Sequence, residues 1–339
     1  MGGVLAAGSL LGVDPGGAAV QAVLTFLACR GDVPAFDGTF LSWLVTLPIS
    51  PFVPLGLEWA ALGNVCLSAV FALLHGAVVV CVCVYRRRRS DAQLSLASVA
   101  CSLRFPALSI TVGEVLLTGT AVCGAALAAS HSGSPRQLAI GWVSVAVSAC
   151  AVGAWLVSAR RVLGRSRCRC HPRNACRTAL AMVPRLYAVL RSQWVWSPVD
   201  AVQRHGPLFE AMRAGVCWWW RWAGVAVLTV VAAVTGAGGV RGGGCEASLG
   251  VCAALLLATS VLLAVARPYT HVVENAMNPI KFAVLGLTSV VLAAEADADA
   301  SNAALTALGY VQTVVTFVRL TAKLYVKLEE RVVLGKAVD

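Results

Sequence analysis

Charge is scarce in this chain. Only 13% of its 339 residues are Asp, Glu, Lys or Arg, against roughly 25% in soluble domains. Hydrophobic residues make up 58%. That much apolar surface exceeds what one soluble core can bury, so lipid must solvate a large part of it. Acid is scarcer than base: 16 Asp and Glu stand against 27 Lys and Arg, a net charge of +11. On a soluble chain such a surplus would point to nucleic acid. On a membrane chain it is the charge that gathers on the cytoplasmic side. The expected partner is therefore the bilayer, including the anionic lipids of its cytoplasmic leaflet, and not nucleic acid.

Recognisable chemistry is also missing. The opening "MGGVLAAGSLLGV" has no basic n-region, and Ala6 stands where myristoylation needs Ser or Thr. No Asn-x-Ser/Thr acceptor occurs. The glycines of "GAGGVRGGGC", Gly236 to Cys245, lack the G-x-x-x-x-G-K-[ST] form that cradles phosphate, and read as a turn between spans. No Ser-His-Asp set or carboxylate pair stands out. Asp200, His205 and Glu210 lie near one another only as any long loop would allow. Neither an enzyme nor a cofactor is expected.

The chain has 13 cysteines, most of them inside apolar runs where Cys acts as a small hydrophobe. "RCRCHPRNAC" groups Cys168, Cys170, His171 and Cys176, but C-x-C-H-x4-C is not a common zinc pattern and the arginines repel a cation. No metal site is expected. Cys168 and Cys170, and Cys81 and Cys83, read either as plain thiols or as S-palmitoylation sites beside the membrane. Cys29 and Cys245 lie outside the spans on one side, and nothing in the sequence fixes their distance.

What is present is a series of long apolar runs. A membrane helix needs about 20 such residues. Seven candidate spans result: 61–85, 106–128, 138–158, 218–238, 247–266, 279–295 and 302–322. The sixth requires Pro279 in its first turn, where proline is tolerated. Residues 39–57 are apolar but carry Pro48, Pro51 and Pro54, and read as an interfacial or re-entrant entry. An eighth span over 39–60 is the alternative. The expected fold is all-α, a polytopic helical bundle. Its parts are an entry segment 1–60, three spans over 61–158, a basic loop 159–217, four spans over 218–322 and a tail 323–339.

Orientation follows from the basic residues. With the N-terminus outside, 24 of the 27 Lys and Arg fall inside, leaving Arg30, Arg136 and Arg241 outside. The run "AVVVCVCVYRRRRSDA" is then a cytoplasmic exit, with Arg86, Arg87, Arg88 and Arg89 at the headgroups. The C-terminus is expected in the cytoplasm and the chain in the plasma membrane. In the long loop, residues from Thr178 to Trp196 suit a basic amphipathic helix on the membrane face, weakened by Pro184. The rings of Trp194, Trp196, Trp218, Trp219, Trp220 and Trp222 suit the headgroup level.

Ionisable groups within the spans are costly and call for partners. Lys281 and Arg319 can snorkel inward. His75 can stay neutral and bonded to backbone or Ser. Glu114 lies well inside the second span. It is either protonated or paired, and a structural pair with Arg319 is favoured over transport or proton relay.

Seven spans with the N-terminus outside suggest a receptor. Yet "SARR" at Ser158–Arg161 replaces the acidic-Arg-aromatic triplet, and "NPIK" from Asn278 sits in the wrong place for N-P-x-x-Y. The second half is more specific. "LLAVARPYTHVVENAMNPIKFAVLGLTSVVLAAEADA", with "WVWSPVDAVQRHGPLFEAMRAG", resembles the multi-spanning C-terminal region of the trypanosomatid dispersed gene family surface proteins. The resemblance covers about Arg160 to Asp339. It implies a membrane-anchoring region, or truncated copy, of a large adhesin-like surface protein, with no catalytic residues. The large extracellular part of that family is absent from this sequence. A receptor, channel or transporter is the alternative.

Overall fold

The computed structural model describes residues 50–89, 95–130, 133–165, 169–172, 194–198, 219–240 and 245–294, with scattered positions between 202 and 213 and between 303 and 328. Six of its helices are long and apolar enough to cross a membrane. The chain is a multi-pass, all-α membrane bundle. The seventh expected span, 302–322, lies largely outside the described residues, as do residues 1–49.

The helices are α1 Leu57–Arg89, a short α2 Leu96–Ser102, α3 Ala107–Ala129, α4 Pro135–Arg165, α5 Trp220–Val240, α6 Cys245–Ala266 and α7 Val272–Ala293. A 3-10 turn, Val53–Leu55, leads into α1. The prolines keep this entry out of a regular helix: Pro54 sits within the turn, and Gly56 takes φ 100° just after it. Helix α1 has 33 residues, about 50 Å of helix at 1.5 Å per residue. That exceeds a hydrocarbon core of about 30 Å, so the Arg86–Arg89 end projects beyond the apolar zone.

Helix α3 is the centre. It is 67% buried over its most apolar window, whereas α1 is 6% buried. The difference lies in side-chain size. Helix α3 is rich in Gly, Ala and Thr, which let neighbouring backbones come close where lipid gives no hydrophobic drive. Helix α1 runs antiparallel to it. Ala60 and Ala61 pack with Cys123 and Leu127, Asn64 donates to the Leu116 carbonyl, and His75 meets Ser109. Helix α5 runs parallel to α3: Arg221 meets Glu114 at one end, and Gly236 meets Val122 at the other. A second core joins α5, α6 and α7 through Leu228, Val231, Leu256 and Leu285.

Two expectations change. The sixth span does not start at Pro279. It starts at Val272, and Pro279 lies inside the helix. A membrane helix tolerates this where neighbours re-satisfy the backbone, and here the Ser260 hydroxyl of α6 donates to the Pro279 carbonyl at 2.7 Å. Lys281 does not snorkel: it is 2% exposed, covered by the bundle.

The helix directions bring α1, α4 and α6 to an end at the same side of the bundle where α3, α5 and α7 begin. Arg86–Arg89, Arg160, Arg161, Arg165, Arg221 and Arg267 all sit at this end. Arg136 sits at the opposite end, in the first turn of α4.

Candidate functional site

The basic end carries a cap. Strands β1 Arg169–Pro172 and β2 Trp194–Ser197 pair antiparallel, Pro172 opposite Trp194. The amphipathic helix expected from Thr178 lies mostly outside the described residues, but its last three residues belong to β2. Trp-Val-Trp is strand-favouring sequence, and the following Pro198 cannot continue a helix.

Trp196 is buried, and its Nε1 donates to the Met212 carbonyl at 2.9 Å. Its ring meets Phe209 edge-on at 4.9 Å. Leu208, at the end of the Gly206–Leu208 turn, and Phe209 after it pack with Leu117, Ala159, Trp222 and Val225. The same segment reaches the other half of the bundle. Met212 bridges to Tyr269. Arg213 donates from its backbone to Pro268 at 2.8 Å and from Nε to the Tyr269 carbonyl at 3.0 Å.

Asn275 then fixes the Arg-Pro-Tyr loop. Its amide donates to the carbonyls of Tyr269 and His271, and its Oδ1 accepts from Tyr269 N–H. Arg267 ends α6 in the left-handed region at φ 44°, with Pro268 next to forbid more helix. Met212 and Arg213 are thus bonded to the Pro268–Tyr269 loop between α6 and α7.

Beneath the cap lies the charge inside the spans. Glu114 is roughly 10 Å along α3 from its first residue, at 1.5 Å per residue. Its carboxylate Oε2 accepts from Arg221 Nη2 at 2.6 Å. The two side chains are 15% and 11% exposed. A charge-assisted bond this short is strong in a low-dielectric setting. Trp222 walls the pair. It is 1% exposed, its Nε1 donates to the Leu208 carbonyl at 3.1 Å, and its ring tilts against Trp155 at 5.4 Å. The partner expected for Glu114, Arg319, lies outside the described residues.

The other expected positions divide. Arg86, Arg87, Arg88 and Arg89 are exposed in the last turn of α1, where cations oppose the helix dipole. Arg89 also lies over the Tyr85 ring at 5.3 Å. Trp219 is partly exposed and stacks on Trp220 at 4.5 Å. Trp222 corrects the interface reading, since its ring faces protein and not headgroups. Trp218 lies outside the described residues. Cys81 is exposed, whereas the Cys83 thiol is free but buried against Val99 and Ala100, out of reach of acylation. Cys168 lies outside the described residues. Cys170 is in β1, with its side chain outside the description.

His75 Nε2 lies 3.0 Å from the Leu103 carbonyl and Nδ1 lies 2.9 Å from the Ser109 hydroxyl. The carbonyl can only accept, so Nε2 donates, and a neutral ring accepts from Ser109. Cys245 is disulfide-bonded, to a partner outside the described side chains. Among the described residues no His, Cys, Asp and Glu cluster suits a metal.

Comparison with protein-family models, curated proteins and solved structures finds no match.

Sequence reasoning missed Arg221 as the partner of Glu114. A signal existed: Arg221 interrupts a tryptophan run at the same membrane end as Glu114. What it did not supply was that α5 lies beside α3.

One titration follows from the cap. His205 precedes the Gly206–Leu208 turn, and its pKa is lowered from 6.5, first by burial and then by the adjacent Arg204. As pH falls, the unfolded chain takes up this proton before the folded one does. The contribution is therefore present above the unfolded value and is lost as pH falls through the lowered folded value. Hydrogen-exchange protection factors over the cap are expected to fall as pH drops below about 6.5, and His205→Gln to flatten that response. An identical pH response in the variant would remove His205 as its origin.

Proposed function

We propose that this chain is the membrane-anchoring region of a large surface protein, with the basic end in the cytoplasm. The observation that carries this reading is the Glu114–Arg221 pair. The intramembrane carboxylate that a proton or ion pathway would use is engaged with an arginine between two packed helices, under a cap of buried aromatic side chains. Such an arrangement favours a fixed anchor over a moving gate.

Two observations support the orientation. The arginines crowd one end. The disulfide of Cys245 lies at the start of α6, at the opposite end, and disulfides belong to the oxidising side of the membrane. An epitope inserted after Gly133 is expected to stain on intact cells, and one placed after Asp339 only after permeabilisation. The reverse pattern would overturn the orientation.

The role is tested separately. The double variant Glu114→Gln with Arg221→Gln is expected to keep surface delivery of a reporter fused to the N-terminus. If the native chain in vesicles instead carries an ion flux that the double variant abolishes, the anchor reading falls and a channel or transporter takes its place.

A further inference from the structure

A second polar site lies at the end of α1 opposite the arginines. There the turn into α1, the last turn of α3 and the first turn of α4 enclose a cleft of ≈ 590 Å³. That is within the roughly 300–1,000 Å³ range of small-molecule sites. Its polar groups are Glu58, Ser130, Arg136 and Gln137, and Leu55, Leu57 and Trp59 form an apolar side.

The charges here are arranged unlike the pair beneath the cap. Arg136 Nε stands 3.6 Å from Glu58 Oε2, a single long contact. The arginine side chain is 72% exposed and the glutamate 25%. Exposed pairs of this kind contribute under about 1 kcal/mol, so a ligand offering both an anion and a cation replaces the contact at little cost. Trp59 is 56% exposed, Leu55 63% and Leu57 43%. Exposed indole and leucine beside a charge pair, at the end of spanning helices, is the chemistry of the headgroup layer.

We propose that this cleft binds the zwitterionic phosphocholine headgroup of a phospholipid in the adjoining leaflet. The phosphate takes the exposed guanidinium of Arg136. The quaternary ammonium takes the indole face of Trp59 and the Glu58 carboxylate. The acyl chains lie along Leu55 and Leu57. The site carries one charge of each sign, so an anionic headgroup would meet Glu58 without an answering cation of its own. A quaternary ammonium suits an indole face better than a small hydrated amine, which selects choline. The proposal rests on the helices spanning a membrane. It holds for either orientation and is independent of the anchoring role.

The test uses the full purified chain. It is reconstituted in nanodiscs of equal phosphatidylcholine and phosphatidylglycerol, extracted in mild detergent, and its retained lipids counted by mass spectrometry. Phosphatidylcholine is expected to be enriched roughly fivefold over phosphatidylglycerol. Arg136→Gln and Trp59→Ala are each expected to remove most of that enrichment. Both side chains are exposed, so helicity by circular dichroism should not change. Trp142→Ala, which removes an indole 64% exposed further along α4, should leave the enrichment intact. Equal retention of the two lipids by the native chain, a preference for phosphatidylglycerol, or enrichment that survives both cleft variants would each overturn the site.

Discussion

Glu114→Gln is expected to lower the stability of the bundle by about 3 kcal/mol, because it leaves the Arg221 charge buried without its counter-charge. Arg221→Met should cost about as much, by stranding the carboxylate. The geometry sets these sizes: a 2.6 Å bond between side chains 15% and 11% exposed. The decisive comparison is the double variant. With both charges gone neither group is left as an unanswered ion between α3 and α5, and the loss should shrink to within about 1 kcal/mol of native. The measurement is a double-mutant cycle on unfolding in detergent micelles. Losses that simply add would mean that the two groups are not coupled, and the pair would no longer hold α3 to α5.

The second large effect comes from adding atoms. A Cβ at Gly236 would overlap the Val122 carbonyl oxygen of α3. At Gly141 it would stand 2.5 Å from Ala128 N and 2.8 Å from the Gly124 carbonyl. Both obstacles are backbone, so no rotamer change relieves them and the helices must separate. Gly236→Ala and Gly141→Ala are each expected to destabilise by about 2–3 kcal/mol. Gly153 and Gly224 lie on α4 and α5 as well, but a Cβ there meets nothing within 4 Å. Alanine at those two positions should be neutral or stabilise by up to about 1 kcal/mol. The opposite signs separate backbone contact from helix propensity. Thermal melts of the four variants read them directly, and equal effects at all four sites would show that close approach is not what these glycines provide.

The apolar runs located four of the six described spans to within four residues at each end, and the start but not the end of α4, which runs on to Arg165, because a spanning helix needs a run of fixed length and has no polar alternative in lipid. The sixth was placed late at its N-terminal end. By the rule for helices in water Pro279 is a start signal, whereas Ser260 reaches the proline from the neighbouring helix and lets α7 continue through it. The length of the Lys281 side chain predicts a path to the surface. The bundle covers it instead.

The loop between α4 and α5 was the least legible part. Its apolar positions fit a surface helix, and its tryptophans with those opening α5 fit headgroups. Trp196 and Trp222 nevertheless turn inward and donate to the Met212 and Leu208 carbonyls. A buried indole needs one acceptor for its N–H, and two such acceptors are backbone carbonyls that exist in place only once the cap has folded. No residue pattern announces a carbonyl.

The sequence by itself determined that the chain lives in lipid, where its apolar helices lie and that its basic charge belongs to one end. Each of these follows from composition summed over a run, and a run is local. The tertiary structure decided which helix is central, that Arg221 answers Glu114, and that Met212 and Arg213 bond to the Pro268–Tyr269 loop. Each of these depends on which helices stand side by side. In a membrane that choice rests on close backbone approach at glycines and on a few polar contacts, not on a hydrophobic pattern.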